Sequence, residues 1–266
     1  MLFPEKKGKD LMEVLKKYAK FIVPAALLLV ALVHFIIDED LIGEYNEAKA
    51  EADEAVLITE VIDTELTSGD VTGLQITGGS CYVSLIKEET ETVQLDLSEI
   101  PEGYTWALQD GTLVLDMTDK KDQNRHIHLS GASTGAVLRL PMDISLTNIT
   151  IDLRSGNIYF SNVDAGSITL NAGSGNFHNL GYISGDFTFV TGSGNAELRL
   201  RGSETDYNYD LYADFGNIDV GYSVHLSETS RSSGQTGLKS KYTHTNQYDG
   251  KKIRIETGNG NIKIEF

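Results

Sequence analysis

Asp152, Asp186, Asp210, Asp214 and Asp219 are among the acids spread through the repetitive half of this 266-residue chain. A glycosidase or polysaccharide lyase needs two or three carboxylates on one face, close enough to share one sugar bond. These five stand at unlike positions of the repeat, and no Asp-Asp pair occurs from residue 69 onward. They are expected to be solvated turn and edge acids, which leaves no catalytic residue. His126 and His128 alternate on one strand face and could supply two metal ligands, but no third is indicated. Calcium-binding β-rolls use Gly-Gly-x-Gly-x-Asp. The runs at 173–176 and 192–195 read Gly-Ser-Gly-Asn and lack the carboxylate at the ligand position. Cys81 is the only cysteine, so neither an intramolecular disulfide nor a cysteine zinc site can form. The reading is a chain without catalytic, metal or cofactor residues. A tyrosine-rich run, Asp206 to Tyr212, remains as a recognition candidate. With Tyr209 assigned inward, Tyr207 and Tyr212 are the candidate partner surface.

The elements that hold these residues are written in an internal repeat. Gly-Asn pairs stand at Gly156-Asn157, Gly175-Asn176, Gly194-Asn195, Gly216-Asn217 and Gly260-Asn261, with glycine intervals of 19, 19, 22 and 44. Seven residues before each glycine stand Ile149, Ile168, Phe187, Tyr209 and Ile253. Five before stand Ile151, Leu170, Phe189, Leu211 and Ile255. Two after stand Ile158, Phe177, Ala196, Ile218 and Ile262. Only Ala196 breaks the rule of a large apolar side chain. Alternation puts positions −7 and −5 on one face of a strand. Glycine makes a sharp turn without steric cost, and asparagine tolerates a left-handed backbone. Secondary turns are expected at Gly166-Ser167 and Gly185-Asp186. Strands of this spacing fit an all-β solenoid of 19–22-residue coils, in which identical residues stack in ladders. An antiparallel meander is the rival, because Gly-Asn also suits two-residue hairpins. Asn148-Ile149-Thr150 matches a glycosylation sequon, but Ile149 belongs to an inward column and the match is read as chance.

Before the repeat, 17 residues from Phe21 to Ile37 carry no charged side chain, the short end of a membrane-spanning length. Six lysines precede them and Asp38-Glu39-Asp40 follows, so the positive-inside rule places the N-terminus in the cytoplasm. No small-x-small cleavage site closes the apolar run, which argues for an anchor over a signal peptide. The expected organisation is a basic cytoplasmic tail at 1–20, a transmembrane helix at 21–37, an acidic stalk at 38–68 and a β-solenoid domain at 69–266. Residues 1–20 hold a net +3, against −17 for the whole chain. The acidic remainder repels nucleic acid rather than binding it.

These residues resemble the adhesin-like family of bacterial envelope proteins known as DUF4097. The matching stretch runs from Leu138-Arg139-Leu140-Pro141 through Asn148-Ile149-Thr150-Ile151 to Gly156-Asn157. It continues in the Gly-Ser-Gly-Asn runs and the closing Gly260-Asn261-Ile262-Lys263-Ile264, and Asp110-Gly111-Thr112-Leu113 resembles the family's opening strand. The resemblance implies a right-handed parallel β-helix and an adhesin-like or envelope role, and it marks no catalytic site. The sequence departs from the pattern between Tyr222 and Gly250, which is expected to loop out. The functional expectation is a membrane-anchored, non-enzymatic module that binds an envelope protein or glycan outside the cell. The alternatives are a polysaccharide-active β-helix enzyme and a self-assembling structural protein. The open end of the last coil suggests weak self-association.

Overall fold

The computed structural model describes residues 57–118, 134–221, 232–234, 237–244 and 250–266. The chain divides into two units, Met1–Ala55 and Val56–Phe266, and all described residues belong to the second. The predicted tail and transmembrane segment, like His126 and His128, lie outside the described residues. Among those that are described, no helix is long and apolar enough to cross a membrane.

The described residues are all-β apart from a single 3-10 turn at Glu204–Asp206. The first strands are β1 (Leu57–Asp63), β2 (Gly73–Ser80), β3 (Tyr82–Glu88), β4 (Gln94–Pro101), β5 (Thr105–Gln109), β6 (Thr112–Met117) and β7 (Gly135–Pro141). The Gly-Asn repeats form β8 (Leu146–Ser155), β9 (Ile158–Ser161), β10 (Ala165–Ala172), β11 (Phe177–Leu180), β12 (Asp186–Ser193) and β13 (Ala196–Arg199). Then come β14 (Tyr207–Phe215), β15 (Ile218–Val220), β16 (Ser232–Gly234), β17 (Gly237–His244), β18 (Lys251–Asn259) and β19 (Ile262–Glu265). They make two sheets, ordered β1-β4-β7-β3-β9-β11-β13-β19-β15 and β16-β17-β14-β18-β12-β10-β8-β2-β6-β5.

Each Gly-Asn pair joins a strand of the ten-stranded sheet to a strand of the nine-stranded one. It therefore closes no hairpin, and the antiparallel meander is excluded. Successive long strands pair in parallel with the predicted register: Ile149 opposes Ile168, Ile168 opposes Phe187, and Phe187 opposes Ile253. The columns at −7 and −5 are buried throughout. Ala196 has a packing reason. It sits beside Phe177 in the register, and Phe177 packs against Phe160, Phe187 and Phe189 at ring distances of 5.3, 5.0 and 5.8 Å. A small residue there leaves the ring cluster room at native packing density.

Several expectations need correction. The strand-forming part reaches back at least to Leu57, earlier than residue 69, because β1 pairs antiparallel with β4. Gly166 and Ser167 lie inside β10 rather than at a turn. The segment from 222 to 250 does not simply loop out, since β17 pairs antiparallel with β14. The terminal strands are not an open end. β18 lies between β12 and β14, and β19 between β13 and β15. The first pair is also interior, because β2 lies between β8 and β6, and β3 between β9 and β7. Both of these layers are thus enclosed by other layers on either side. Antiparallel strands then finish the stack at three of its four corners: β4 on β7, β5 on β6 and β17 on β14.

Candidate binding groove

The Gly-Asn corner is built by close approach as much as by turning. A Cβ added to Gly156 would lie 1.7 Å from the Cys81 carbonyl oxygen, and one on Gly175 1.8 Å from that of Gly156. The contact repeats at Gly194, Gly260 and Gly216, each against the neighbouring layer's glycine. Only glycine allows the layers to keep their hydrogen-bonding distance here.

The asparagines next to these glycines form a ladder. Asn157 Oδ1 accepts the backbone N–H of Asn176 at 3.0 Å, and Asn176 Oδ1 accepts that of Asn195 at 2.8 Å. Asn195 Oδ1 accepts from Asn261 N at 2.8 Å, and Asn261 Oδ1 from Asn217 N at 2.9 Å. The order 195, 261, 217 repeats the layer order, so the last layer is tied in on both sides. Each amide side chain closes the hydrogen-bonding account of a turn that has no strand partner.

Outside this ladder runs a groove with a cavity volume of about 730 Å³. Its walls are the Ser-Gly-Asn triplets at 155–157, 174–176 and 193–195, continued by Asn259, Gly260 and Asn261. None of these side chains is ionisable, although the chain is strongly acidic. Phe215 closes one end and is 52% exposed. A bare aromatic ring beside a row of amides and hydroxyls offers an apolar platform together with neutral donors and acceptors. All five predicted Gly-Asn pairs lie along this corner, while Phe215 escaped the sequence reading. It shares parity with Tyr209, Leu211 and Ala213, which are buried, but it stands where the strand leaves the core.

The other predicted positions lie apart from the groove. Tyr207 is not a partner surface. It is 2% exposed, and its hydroxyl donates to the Arg201 carbonyl at 2.5 Å. Tyr212 is half-buried and donates to Asp214 Oδ1 at 2.5 Å. Asp186 accepts the Lys252 backbone N–H at 2.9 Å. Asp210 stands opposite Arg254 and Asp219 opposite Lys263 in the strand register. Asp152 lies between Thr77 and Asn171. Among the described residues no group of three or more His, Cys, Asp or Glu is placed to hold a metal ion. Cys81 is buried, and desolvation pushes its thiol up to about 12, so it is a poor nucleophile or ligand.

An ion-pair ladder crosses the outer face of the nine-stranded sheet. Glu197 meets His178 Nδ1 at 2.7 Å and Lys263 Nζ at 3.3 Å. Glu265 meets Lys263 at 2.6 Å and Arg199 at 2.9 Å. Partial burial pushes the Glu197 carboxyl up, but hydrogen bonds from Lys263 and His178 outweigh it and leave the group below its ordinary range. Lys263 and Arg199 hold Glu265 low by hydrogen bonds, and the same contacts from Glu265 and Glu197 raise Lys263. This ladder fastens β11, β13 and β19 together.

No family model matches the sequence, and no curated protein does. Among solved structures the chain is similar to one from Clostridium sporogenes described as a candidate cell adhesion protein. The TM-score is 0.53 at 15% identity, covering 79% of this chain and 99% of that one. A candidate adhesin from Bacteroides fragilis aligns at TM-score 0.30 and 12% identity, over 78% of this chain and 96% of its own. Another from Parabacteroides merdae aligns at 0.26 and 9%, over 80% and 96%. The Clostridium likeness is one of fold.

Proposed function

We propose that the chain is an adhesin-like binding module of a bacterial cell envelope, non-enzymatic and built as a right-handed parallel β-helix of the DUF4097 kind. In this reading residues 21–37 anchor it in the cell membrane, with the N-terminus cytoplasmic and the β unit outside. The stack binds an envelope glycan or protein along the Ser-Gly-Asn corner. The groove carries the argument: an uncharged row of amides and hydroxyls, ended by an exposed Phe215, on a chain of net charge −17. An acidic protein that leaves one long concave strip free of charge has removed the repulsion an anionic envelope would impose. The Clostridium neighbour, described as a candidate adhesion protein, supports the same class of role.

The test is retention of the full-length chain on isolated envelope material, measured beside Phe215→Ser and Ser193→Arg. Both positions are exposed, so neither substitution disturbs the core. Binding that weakens at least fivefold in both variants is the expected result, and equal retention of all three proteins removes the groove from the argument. Tags at each end of the chain, probed by protease on intact cells, test the orientation: an N-terminal tag cut from outside overturns the anchor.

A further inference from the structure

Sheet edges recruit other strands unless they are protected, and the two sheets end on β1, β15, β16 and β5. Three of these edges are poor templates. β1 carries Glu60, Asp63 and a register shift between Ile58 and Glu60, and β15 and β16 have three residues each. β5 differs. Its sequence is Thr-Trp-Ala-Leu-Gln, with no charge and no proline, and four of its five residues are exposed. Among the described residues nothing pairs with its outer side.

The backbone of β5 also faces outward in a defined way. Asp110 and Gly111, with φ of 49° and 76°, close β5 onto β6 through a two-residue turn with both central residues at positive φ. In such a hairpin the flanking residues, Gln109 and Thr112, form the hydrogen-bonded pair, and pairs alternate from there. Thr105, Ala107 and Gln109 therefore bond to β6. Trp106 and Leu108 direct their N–H and C=O groups to the open side.

We propose that β5 is a self-association edge, pairing antiparallel with β5 of a second copy about a twofold axis through Ala107. In that register Trp106 opposes Leu108 of the second copy, and the two pairs exchange four backbone hydrogen bonds. Thr105 opposes Gln109, and Asp110 opposes Tyr104, so no two carboxylates meet. Moving the axis to Trp106 sets Glu102 against Asp110, a like-charge pair that destabilises a ladder. Moving it to Leu108 sets Asp110 against the indole. Charge thus selects one register, and it selects this edge, since copies with a net charge of −17 associate best where neither carries charge. Leu108, at 39% exposure, and the half-buried Trp106 gain burial together. The inference rests on edge geometry and is independent of what the groove binds.

Cross-linking in the membranes of cells producing the full-length chain tests it. Ala107 meets itself in a non-hydrogen-bonded pair, whose Cα separation of about 4.5 Å suits a disulfide. Under mild oxidation Ala107→Cys should become mostly covalent dimer. Thr105→Cys alone should stay monomeric, because its copy lies four residues away, about 13 Å. Co-produced with Gln109→Cys, it should cross-link. Leu108→Pro removes an outward N–H without touching the β5–β6 ladder, as edge strands tolerate, and should lower Ala107→Cys dimer at least tenfold. Dimer absent from Ala107→Cys and from the 105/109 pair overturns the proposal. So does Thr105→Cys linking to itself as readily as Ala107→Cys.

Discussion

Replacing Gly156 by alanine should cost more than its one methyl group suggests. The added Cβ would sit 1.7 Å from the Cys81 oxygen and 2.6 Å from the Cys81 carbon, where ordinary contact begins near 3.4 Å. The neighbour is backbone, so no side chain can swing away. Relief requires the layers to part by about 1.7 Å at this corner. That breaks the bonds from Cys81 N to Ser155 O and from Val83 N to Asn157 O, both 3.0 Å, at about 1 kcal/mol each. Gly156 also has φ of 135°, a region that costs a residue with a side chain about 1–3 kcal/mol. Together the loss is about 3–5 kcal/mol, a third or more of a typical domain's stability. At roughly 2–4 °C per kcal/mol for a unit of this size, the melting temperature falls by about 6–20 °C. Gly103→Ala is the control: nothing lies within 4 Å of its added Cβ, and a change within about 0.5 kcal/mol is expected. Thermal melting followed by circular dichroism reads both variants. If Gly156→Ala melts within about 2 °C of the parent, the close-approach account of the Gly-Asn corner is wrong.

Ile151→Asp or Phe189→Asp places an unpaired carboxylate in a fully buried column and should unfold the unit, at a cost of several kcal/mol. Asp186→Ala gives up one exposed hydrogen bond to Lys252 N and should change the melting temperature little; equal stability of the three variants would sink the column assignment. Glu197 and Glu265 are held below the ordinary glutamate value of 4.5 in the folded chain, so each contributes stability above that pH and loses it as pH falls through the folded value. Melting should therefore worsen below about pH 4.5, and the double variant Glu197→Gln with Glu265→Gln should flatten that limb slightly, since exposed pairs contribute little. Deleting residues 253–266 removes an interior layer and should yield aggregated protein by sedimentation, whereas a folded monomer would show that the layers on either side can close up without it.

The columns were legible because stacking in register repeats the same side chain at the same offset. Ile149, Ile168, Phe187, Tyr209 and Ile253 face inward as their spacing requires, and all are buried. The strands β2 and β3 carry the same columns, Leu74 opposing Ile149 and Ile76 opposing Ile151, but they are joined through Cys81-Tyr82 where the repeat layers hold Gly-Asn. Without the signature they read only as irregular strands. Tyr207 was misplaced by ignoring parity, since a residue two before the inward Tyr209 must also point inward. The groove was half legible: its glycines and asparagines were found as turns, while their close approach and Phe215 depend on which layers are neighbours.

That neighbour order was beyond the reach of the pattern for a physical reason. Five layers present the same inward columns and the same Gly-Asn corner, so any of these can stack on another with matched register. Ile253 and Ile255 of β18 fit Phe187 and Phe189 of β12 as well as Tyr209 and Leu211 of β14. The connections break this degeneracy. β17 pairs with β14 on one side and β18 pairs with it on the other, so the chain, having laid down β14, grips it from both sides. At the opposite end β7 lies between β3 and β4, which precede it, so a later strand fills a gap left by earlier ones. Either device sets a strand between neighbours that are distant from it in sequence. The strands left outside are antiparallel to their neighbours at three of the four sheet ends. Matched columns leave the order of the layers open, and the connections between them select the one order the unit adopts.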